Sequence, residues 1–174
     1  MIGCPDIVFG HKVNLTSGKS NLILDFYLDR DNPADTKLYG PTLDRVIKNY
    51  RKTPRDIVVD GGYASKVNMN QSTEKGLVNF VFNKIVGCMK NQTGSLSKEI
   101  RLKRWRNGIE ANISNLKRGF DLRRCLWTGW LNSQIKVLWS VLVYNIVVMS
   151  KTFVGWMRSC NKFIISSSFY QKES

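Results

Sequence analysis

The sequence predicts an α/β protein in which a mixed sheet is flanked by helices and followed by a long apolar helix. Two apolar runs, at 7–15 and 22–28, are separated by turn-forming residues and predict a β-hairpin. Residues 56–60, 65–75 and 77–82 follow as a buried strand, a helix and a further strand. Strand, helix and strand with short connections form a parallel crossover unit, so antiparallel and parallel pairing are both expected.

Proline and serine mark the predicted helix boundaries. Pro41 suits a first helical turn, and the breaker-rich residues 51–55 end that helix. Ser65 is expected to cap the second helix, and Ser97 the third, which extends over 98–118.

The third predicted helix carries an apolar stripe beside a row of charges. The stripe consists of Leu102, Trp105, Ile109, Ile113 and Leu116. The charged row consists of Lys103, Arg106, Glu110 and Lys117. Steps of three, four and seven residues keep each set on one side of a helix. The simplest interpretation is a surface helix with an ordinary ion pair between Arg106 and Glu110, and Gly108 is expected to admit a close neighbour.

A fourth helix is predicted at 131–153, where apolar residues repeat strongly. Its length suggests a membrane span, but Lys136, Ser140, Tyr144 and Asn145 interrupt it, so we favour a core helix over a span. The periodicity fails after Phe153. We therefore expect one domain at 1–153 and an irregular tail at 154–174.

The charge balance indicates a polyanionic partner. The chain has 27 Lys and Arg against 13 Asp and Glu, a net charge of +14, and many of the cations lie between Lys98 and Arg124. Nucleic acid is the first candidate, and an anionic membrane surface is the second. The four cysteines are widely spaced and His11 is the only histidine, so no zinc-type ligand set is expected. Reduced thiols indicate a cytoplasmic protein.

Two carboxylates are candidates for metal chemistry. Asp60 follows a predicted parallel strand, at the edge where α/β proteins place their active sites. Gly61 and Gly62 are expected to leave room there for a sugar-phosphate backbone, and Glu110 could reach the same place from its helix. Hard oxygen ligands beside a basic surface suggest Mg²⁺ or Mn²⁺, with Arg106 and Lys117 on phosphates.

The chain resembles the DDE transposases of bacterial and archaeal insertion sequences. The resemblance lies in Phe9-Gly-His-Lys-Val13, Asn32-Pro-Ala-Asp35, Val59-Asp-Gly-Gly-Tyr-Ala-Ser65, Phe82-Asn-Lys84, Trp105-Arg-Asn-Gly-Ile-Glu-Ala-Asn-Ile-Ser-Asn-Leu-Lys-Arg118, Arg124-Cys-Leu-Trp127 and Trp139-Ser-Val-Leu-Val-Tyr-Asn145. It implies a ribonuclease H-like catalytic domain that cleaves and transfers DNA strands with Mg²⁺ or Mn²⁺. The implied partners are transposon ends and target DNA in the prokaryotic cytoplasm.

The resemblance implies roles for individual residues. Asp60 corresponds to the second catalytic and metal-binding carboxylate, and Glu110 to the third. Lys103, Arg106, Lys117 and Arg118 are the residues expected to contact DNA. Lys103 stands where family members often have a tyrosine, so it can meet a phosphate but cannot stack or act as a phenol.

The first catalytic aspartate of such proteins lies on a strand that precedes the one at 7–15. Neither Asp25 nor Asp35 is expected to replace it. We therefore expect a C-terminal portion of a transposase that lacks its first strand, is inactive and still binds DNA. The hairpin would then have an unpaired edge, so we also expect poor solubility or a homodimer.

Two other functions remain open on the sequence. One is a non-enzymatic, basic DNA-binding module that needs no metal. The other is a membrane-associated protein anchored by residues 131–153.

Overall fold

Helices and short strands alternate along the chain. The computed structural model describes residues 12–83, 91–120, 122 and 129–170, and for 159–170 it describes the backbone alone. The elements in these residues are β1 (Lys12–Ser17), β2 (Ile23–Asp29), α1 (Asp35–Tyr50), β3 (Asp56–Val59), a short 3-10 helix (Gly61–Tyr63), α2 (Lys66–Glu74), β4 (Asn79–Phe82), α3 (Leu96–Gly119) and α4 (Trp130–Tyr170).

The strands form two separate pairs within the described residues. β1 and β2 are an antiparallel hairpin with an irregularity between Thr16 and Ser17. β3 and β4 are parallel, with Ile57 opposite Phe80 and Val59 opposite Phe82. The predicted hairpin and the predicted crossover unit are therefore both confirmed, although residues 7–11 of the first predicted strand lie outside the described residues.

Two of the predicted helix starts are wrong and one is confirmed. α1 begins at Asp35 and contains Pro41, because Leu38 and Tyr39 extend the buried face of the helix ahead of the proline. Ser95, not Ser97, caps α3, and its hydroxyl accepts a hydrogen bond from the backbone N–H of Lys98. Ser65 caps α2 as predicted, and it accepts from the backbone N–H of Asn68 at 3.1 Å.

The buried side chains form two apolar clusters, one under each pair of strands. One cluster joins the hairpin to α3 and α4 through Ile23, Leu28, Leu116, Val137, Val141 and Tyr144. The other joins α1 to the parallel pair through Tyr39, Leu43, Leu77, Phe80 and Phe82. α3 packs near both pairs of strands, which places its middle turns between the two clusters.

Polar side chains tie α4 to the hairpin. Asn145 pairs with the backbone of Ile23, accepting from its N–H and donating to its carbonyl, each at 2.9 Å. The Tyr144 hydroxyl donates to the carbonyl of Asn21, and the Ser140 hydroxyl donates to the carbonyl of Phe120. Three of the four residues that interrupt the apolar pattern of this helix therefore anchor it to the rest of the protein.

α4 differs from the sequence-based expectation in length and in apolar character. The helix continues to Tyr170, although an irregular tail was expected after Phe153. Its segment Trp130–Arg158 is also long and apolar enough to cross a membrane by length and composition, with a mean hydropathy of 1.7. The interrupting polar residues are therefore too few to exclude a span on that criterion. Large apolar side chains such as Trp139, Phe153 and Trp156 are exposed on it.

The described residues form a mixed α/β arrangement with four α-helices and two small sheets, including the long C-terminal helix that was predicted. The arrangement is consistent with a fragment of the ribonuclease H-like fold that the resemblance implies.

Candidate metal and DNA-binding site

Asp60 lies one residue after β3, at the carboxyl end of the parallel pair. Its Oδ1 accepts a hydrogen bond from the backbone N–H of Gly61 at 2.6 Å, which caps the 3-10 helix. Its Oδ2 lies 3.1 Å from Nη2 of Arg106 on α3. The carboxylate is therefore oriented by one backbone donor and one cation, while its side chain is 57% exposed and open to further ligands.

Glu110 reaches the same place from α3. Arg106 and Glu110 are one helical turn apart, and Oε1 of Glu110 also lies 3.1 Å from Nη2 of Arg106. One nitrogen thus contacts both carboxylates, so their contacting oxygens are at most twice that distance apart. The Glu110 side chain is 59% exposed, whereas that of Arg106 is only 15% exposed. The chain brings Asp60 and Glu110 together around a cation, as the sequence led us to expect.

A third carboxylate, Asp35, lies beside this pair. Its Oδ1 is 2.7 Å from Nζ of Lys12, and a Cβ added to Gly62 would lie only 2.5 Å from its Oδ2. The space beside Gly62 was expected to admit substrate, but the Asp35 side chain fills it. Asp35 is not one of the residues that the sequence predicts for the site. Its place in the Asn32–Asp35 motif, one of those that carry the resemblance, was the signal that could have drawn attention to it.

Tyr63 lies close to this acidic group. Burial raises the pKa of its hydroxyl above the ordinary value of 10.0, and the charges of Asp35 and Asp60 raise the pKa further. A hydrogen bond with Asn14 acts in the opposite direction. The neutral phenol is therefore the favoured form beside the two carboxylates.

The remaining predicted DNA contacts differ in their surroundings. Lys103 is paired with Glu99 at 2.7 Å, and this hydrogen bond, with a second from Asn91, lowers the pKa of the Glu99 carboxyl. Lys117 and Arg118 are exposed in the last turn of α3. Neither lies within ion-pair distance of a carboxylate in the described part of the chain. These two cations are the ones most available to a phosphate backbone.

Asp60 and Glu110 fit the ligand requirements of a divalent cation in part. Mg²⁺ prefers carboxylate oxygens and keeps several of its waters, so one or two protein carboxylates together with substrate phosphates suffice. Both side chains are more than half exposed, which leaves room for those waters. No group of three or more acidic, histidine or cysteine side chains suited to a metal occurs among the described residues. The pair provides a partial site and not a closed cage.

Sequence comparison identifies the family to which this site belongs. A family described as the transposase DDE domain matches residues 9–146. The chain belongs to the DDE transposase family. No curated protein and no solved structure gave a match.

The family match covers the elements that build the site. In this transposase domain, Asp60, Arg106 and Glu110 all lie within the matched residues, as does Asp35. DDE transposases act on DNA and generally use divalent metals, and both properties agree with the exposed carboxylate pair and the basic helix beside it. The match also ends within α4, so residues 147–174 lie beyond it.

Proposed function

We propose that the chain binds a DNA backbone next to a divalent cation held by Asp60 and Glu110. The observation that carries this proposal is the shared contact of both carboxylates with Nη2 of Arg106. Two exposed carboxylates contact one largely buried guanidinium. The group carries a net negative charge and already holds one positive charge. A divalent cation placed there would carry out the metal chemistry of the transposase family.

Each residue then has a distinct role. Asp60 and Glu110 are the metal ligands, and Asp60 is held in place by the backbone N–H of Gly61. Arg106 would be available to a phosphate oxygen if a metal held both carboxylates, because a guanidinium can bind either group with two donors. Lys103, Lys117 and Arg118 extend the phosphate contacts along α3.

A bound Mg²⁺ or Mn²⁺ would polarise a scissile phosphodiester and stabilise the attacking and leaving oxygens. The residues of this chain contribute binding and orientation to that reaction. Arg106, Lys117 and Arg118 neutralise phosphates. Their positive charge attracts the DNA strand toward the carboxylates.

We also propose that the domain binds DNA without cleaving it efficiently. The resemblance implies a site with three carboxylates, and Asp60 and Glu110 supply two. Asp35 lies nearby, but its Oδ1 is paired with Lys12, so we count only Asp60 and Glu110 as ligands. With two ligands, metal binding is expected to be weak and strand cleavage slow or absent.

A cleavage and binding assay with terminal-repeat DNA tests these proposals. We expect Mn²⁺ to strengthen DNA binding in the wild-type chain, and we expect this effect to be lost in Asp60→Asn and in Glu110→Gln. Efficient cleavage by the wild-type chain would contradict the inactive state. Cleavage that persisted in Glu110→Gln would contradict the assignment of the site itself.

A non-enzymatic DNA-binding module is the second candidate. The cations of α3 that are exposed or paired only at the surface favour it, because they need no metal to contact phosphates. On this alternative, Asp60→Asn leaves DNA affinity unchanged with or without Mn²⁺. The same titration therefore separates the two candidates.

The apolar segment Trp130–Arg158 supports a third candidate, a membrane-associated protein. We favour a cytoplasmic, DNA-associated protein, because the buried side chains of Val137, Val141 and Tyr144 join this helix to the hairpin. Fractionation of cells that express the chain distinguishes them. A membrane fraction that resists high salt would support anchoring, whereas release by salt or nuclease would support association with DNA.

A further inference from the structure

The fourth helix, α4, carries apolar side chains on two opposite sides. Val137, Val141 and Tyr144 form the inner side, which is buried against the hairpin and α3. A second set, here called the outer stripe, consists of Trp139, Leu142, Ile146, Met149, Phe153 and Trp156. At about 100° per residue, the middle of the outer stripe lies roughly 150° from the inner side, so the elements that bury one side cannot cover the other.

The outer stripe has the spacing of a coiled-coil seam. Its members follow one another in alternating steps of three and four residues from Trp139 to Trp156, which is about 26 Å of helix. A strict alternation of this kind makes a narrow row that fits a similar row on another helix, whereas a helix on a globular core has a broader apolar face. The second half of the stripe lies beyond the family match at 9–146.

Every side chain of the outer stripe is exposed in the part of the chain that the structure describes, from 44% at Leu142 to 62% at Trp156. Its three aromatic side chains alone expose about 300–400 Å², roughly half of what each partner buries in a stable interface of ordinary size. A soluble monomer rarely leaves a larger continuous apolar patch than this in water. The stripe is therefore large enough to serve as an interface.

A groove of about 410 Å³ lies beside the second half of the stripe. Met149, Phe153 and Trp156 line one wall, and Ser20 and Leu22 of the hairpin turn line the other. A bulky apolar side chain from a second helix would fill it.

The composition of α4 favours a second copy of the chain as the occupant. The helix contains no acidic residue, and Lys151 and Arg158 lie on the side away from the outer stripe, so the stripe offers no charge to DNA. A helix that lies on a lipid surface uses a broad apolar face, which this narrow row does not provide. The same row on a second copy supplies apolar contacts along its whole length and needs no charges.

We propose that two copies of the chain dimerise through their outer stripes, with the two α4 helices antiparallel. Ile146 of each copy then packs against Met149 of the other at the centre of the interface. Trp139 of each copy enters the groove beside Phe153 and Trp156 of the other. The proposal is independent of the metal site and of DNA.

Net charge favours the antiparallel arrangement. The inner side joins α4 to the rest of the domain along 137–144, which is next to the first half of the outer stripe. Antiparallel pairing therefore offsets the two domains along the helix pair, whereas parallel pairing would set them level. Each copy has a net charge of +14, so the offset arrangement has less repulsion.

Sedimentation equilibrium on the full chain tests the dimer, in high salt and after nuclease treatment so that DNA cannot bridge two copies. We expect a reversible dimer in the wild type. Its dissociation constant should rise roughly 100-fold or more in Ile146→Asp, because each dimer would bury two unpaired carboxylates. Ile146 is exposed in the single copy, so circular dichroism should show an unchanged helix content. Val154→Asp, an exposed apolar position of α4 outside the stripe, is the matched control and should keep the wild-type constant.

Mixing two single variants tests the orientation. Ile146→Glu and Met149→Lys should each be largely monomeric alone, and their mixture should form a heterodimer. Antiparallel pairing places the acidic side chain of one variant beside the basic side chain of the other and leaves the two unsubstituted side chains in contact. A parallel pair would make neither contact, so a mixture that stayed monomeric would overturn the antiparallel arrangement.

Three other results would overturn the proposal. A wild-type chain that is monomeric at its highest soluble concentration would leave the stripe without this partner. A dimer that survives Ile146→Asp would place the contact elsewhere, such as at the hairpin. Flotation of a monomeric wild type, but not of Ile146→Asp, with vesicles of phosphatidylcholine and phosphatidylglycerol would assign the stripe to a lipid surface.

Discussion

Arg106 and Asp60 are joined by a 3.1 Å ion pair that links α3 to the end of β3. The same nitrogen of Arg106 contacts Glu110, so the guanidinium occupies the position between two carboxylates where a divalent cation would bind. On the proposed function, the arginine and a metal ion would compete for the same oxygens. This competition is the physical basis for the first prediction.

Replacing Arg106 with alanine should strengthen metal binding and weaken DNA binding. Ion pairs at a surface are each worth about 0.2–1 kcal/mol and Arg106 makes two, so we expect Mn²⁺ to bind about two- to thirtyfold more tightly in Arg106→Ala. DNA affinity should fall because a phosphate contact is lost. Calorimetry with Mn²⁺ and a DNA titration measure the two effects. Arg104→Ala, at an exposed position on the same helix, is the control, and equal metal affinity in the two variants would contradict competition.

The exposed cations at the end of α3 should determine much of the salt dependence of DNA binding. Each phosphate contact that is removed lowers the slope of log affinity against log salt by about 1. We therefore expect a decrease of about 1 for Lys117→Ala and for Arg118→Ala. Lys52→Ala, at an exposed position after α1, should leave the slope unchanged. A slope that changed in Lys52→Ala and not in Lys117→Ala would place the DNA on another surface.

Two glycines should respond to alanine in opposite directions. A methyl group at Gly62 would lie 2.5 Å from Oδ2 of Asp35, which must move and so weaken its ion pair with Lys12; we expect Gly62→Ala to destabilise the protein by about 0.2–1 kcal/mol. At Gly108 the nearest atom would be Oδ1 of Asn21 at 3.8 Å, an ordinary contact. Gly108→Ala should therefore stabilise the helix by about 0.8–1 kcal/mol.

Urea denaturation measures both changes. Because the cost at Gly62 comes from the Asp35 carboxylate, adding Asp35→Ala should remove most of it, and additive effects of the two substitutions would contradict this cause. A loss of stability in Gly108→Ala would support the original expectation that a neighbour approaches this residue closely.

Alkaline stability should depend on Tyr63. Its pKa is raised in the folded state, so its contribution is fully present below the unfolded value near 10 and is lost as the pH rises through the folded pKa. Above pH 10 the wild-type chain should therefore lose stability more steeply than Tyr63→Phe. Tyr27→Phe, at an exposed position, is the control. Parallel pH profiles for the wild type and Tyr63→Phe would contradict the burial of this hydroxyl beside two carboxylates.

The convergence of Asp60 and Glu110 on Arg106 was predictable because both positions follow from local patterns. A carboxylate after a short β-branched run lies at the end of a parallel strand, and the spacing of α3 determines which residues share its face. The contact of Asp35 with Gly62 was not predictable in the same way. It depends on how the start of α1 packs against the 3-10 helix, and neither segment has a periodic pattern that reports this packing.

The helix boundaries show the same limitation. The C-terminal half of α4 was expected to be irregular, because periodicity identifies a helix only where one side of it is buried. Residues 149–158 are exposed on all sides, so no buried side marks them as helical. Pro41 was a similar case, since the buried side chains of Leu38 and Tyr39 extend α1 ahead of a residue that usually marks a helix start.

The most direct test of the account is Mn²⁺ binding, measured by calorimetry on the wild type, Asp60→Asn, Glu110→Gln and the double variant. Asn keeps an oxygen for the N–H of Gly61, so the local turn should be preserved. We expect each single substitution to weaken binding by about tenfold or more, or about 1.4 kcal/mol, and the double variant to be little weaker than either single variant. Unchanged Mn²⁺ affinity in either single variant would contradict a shared site.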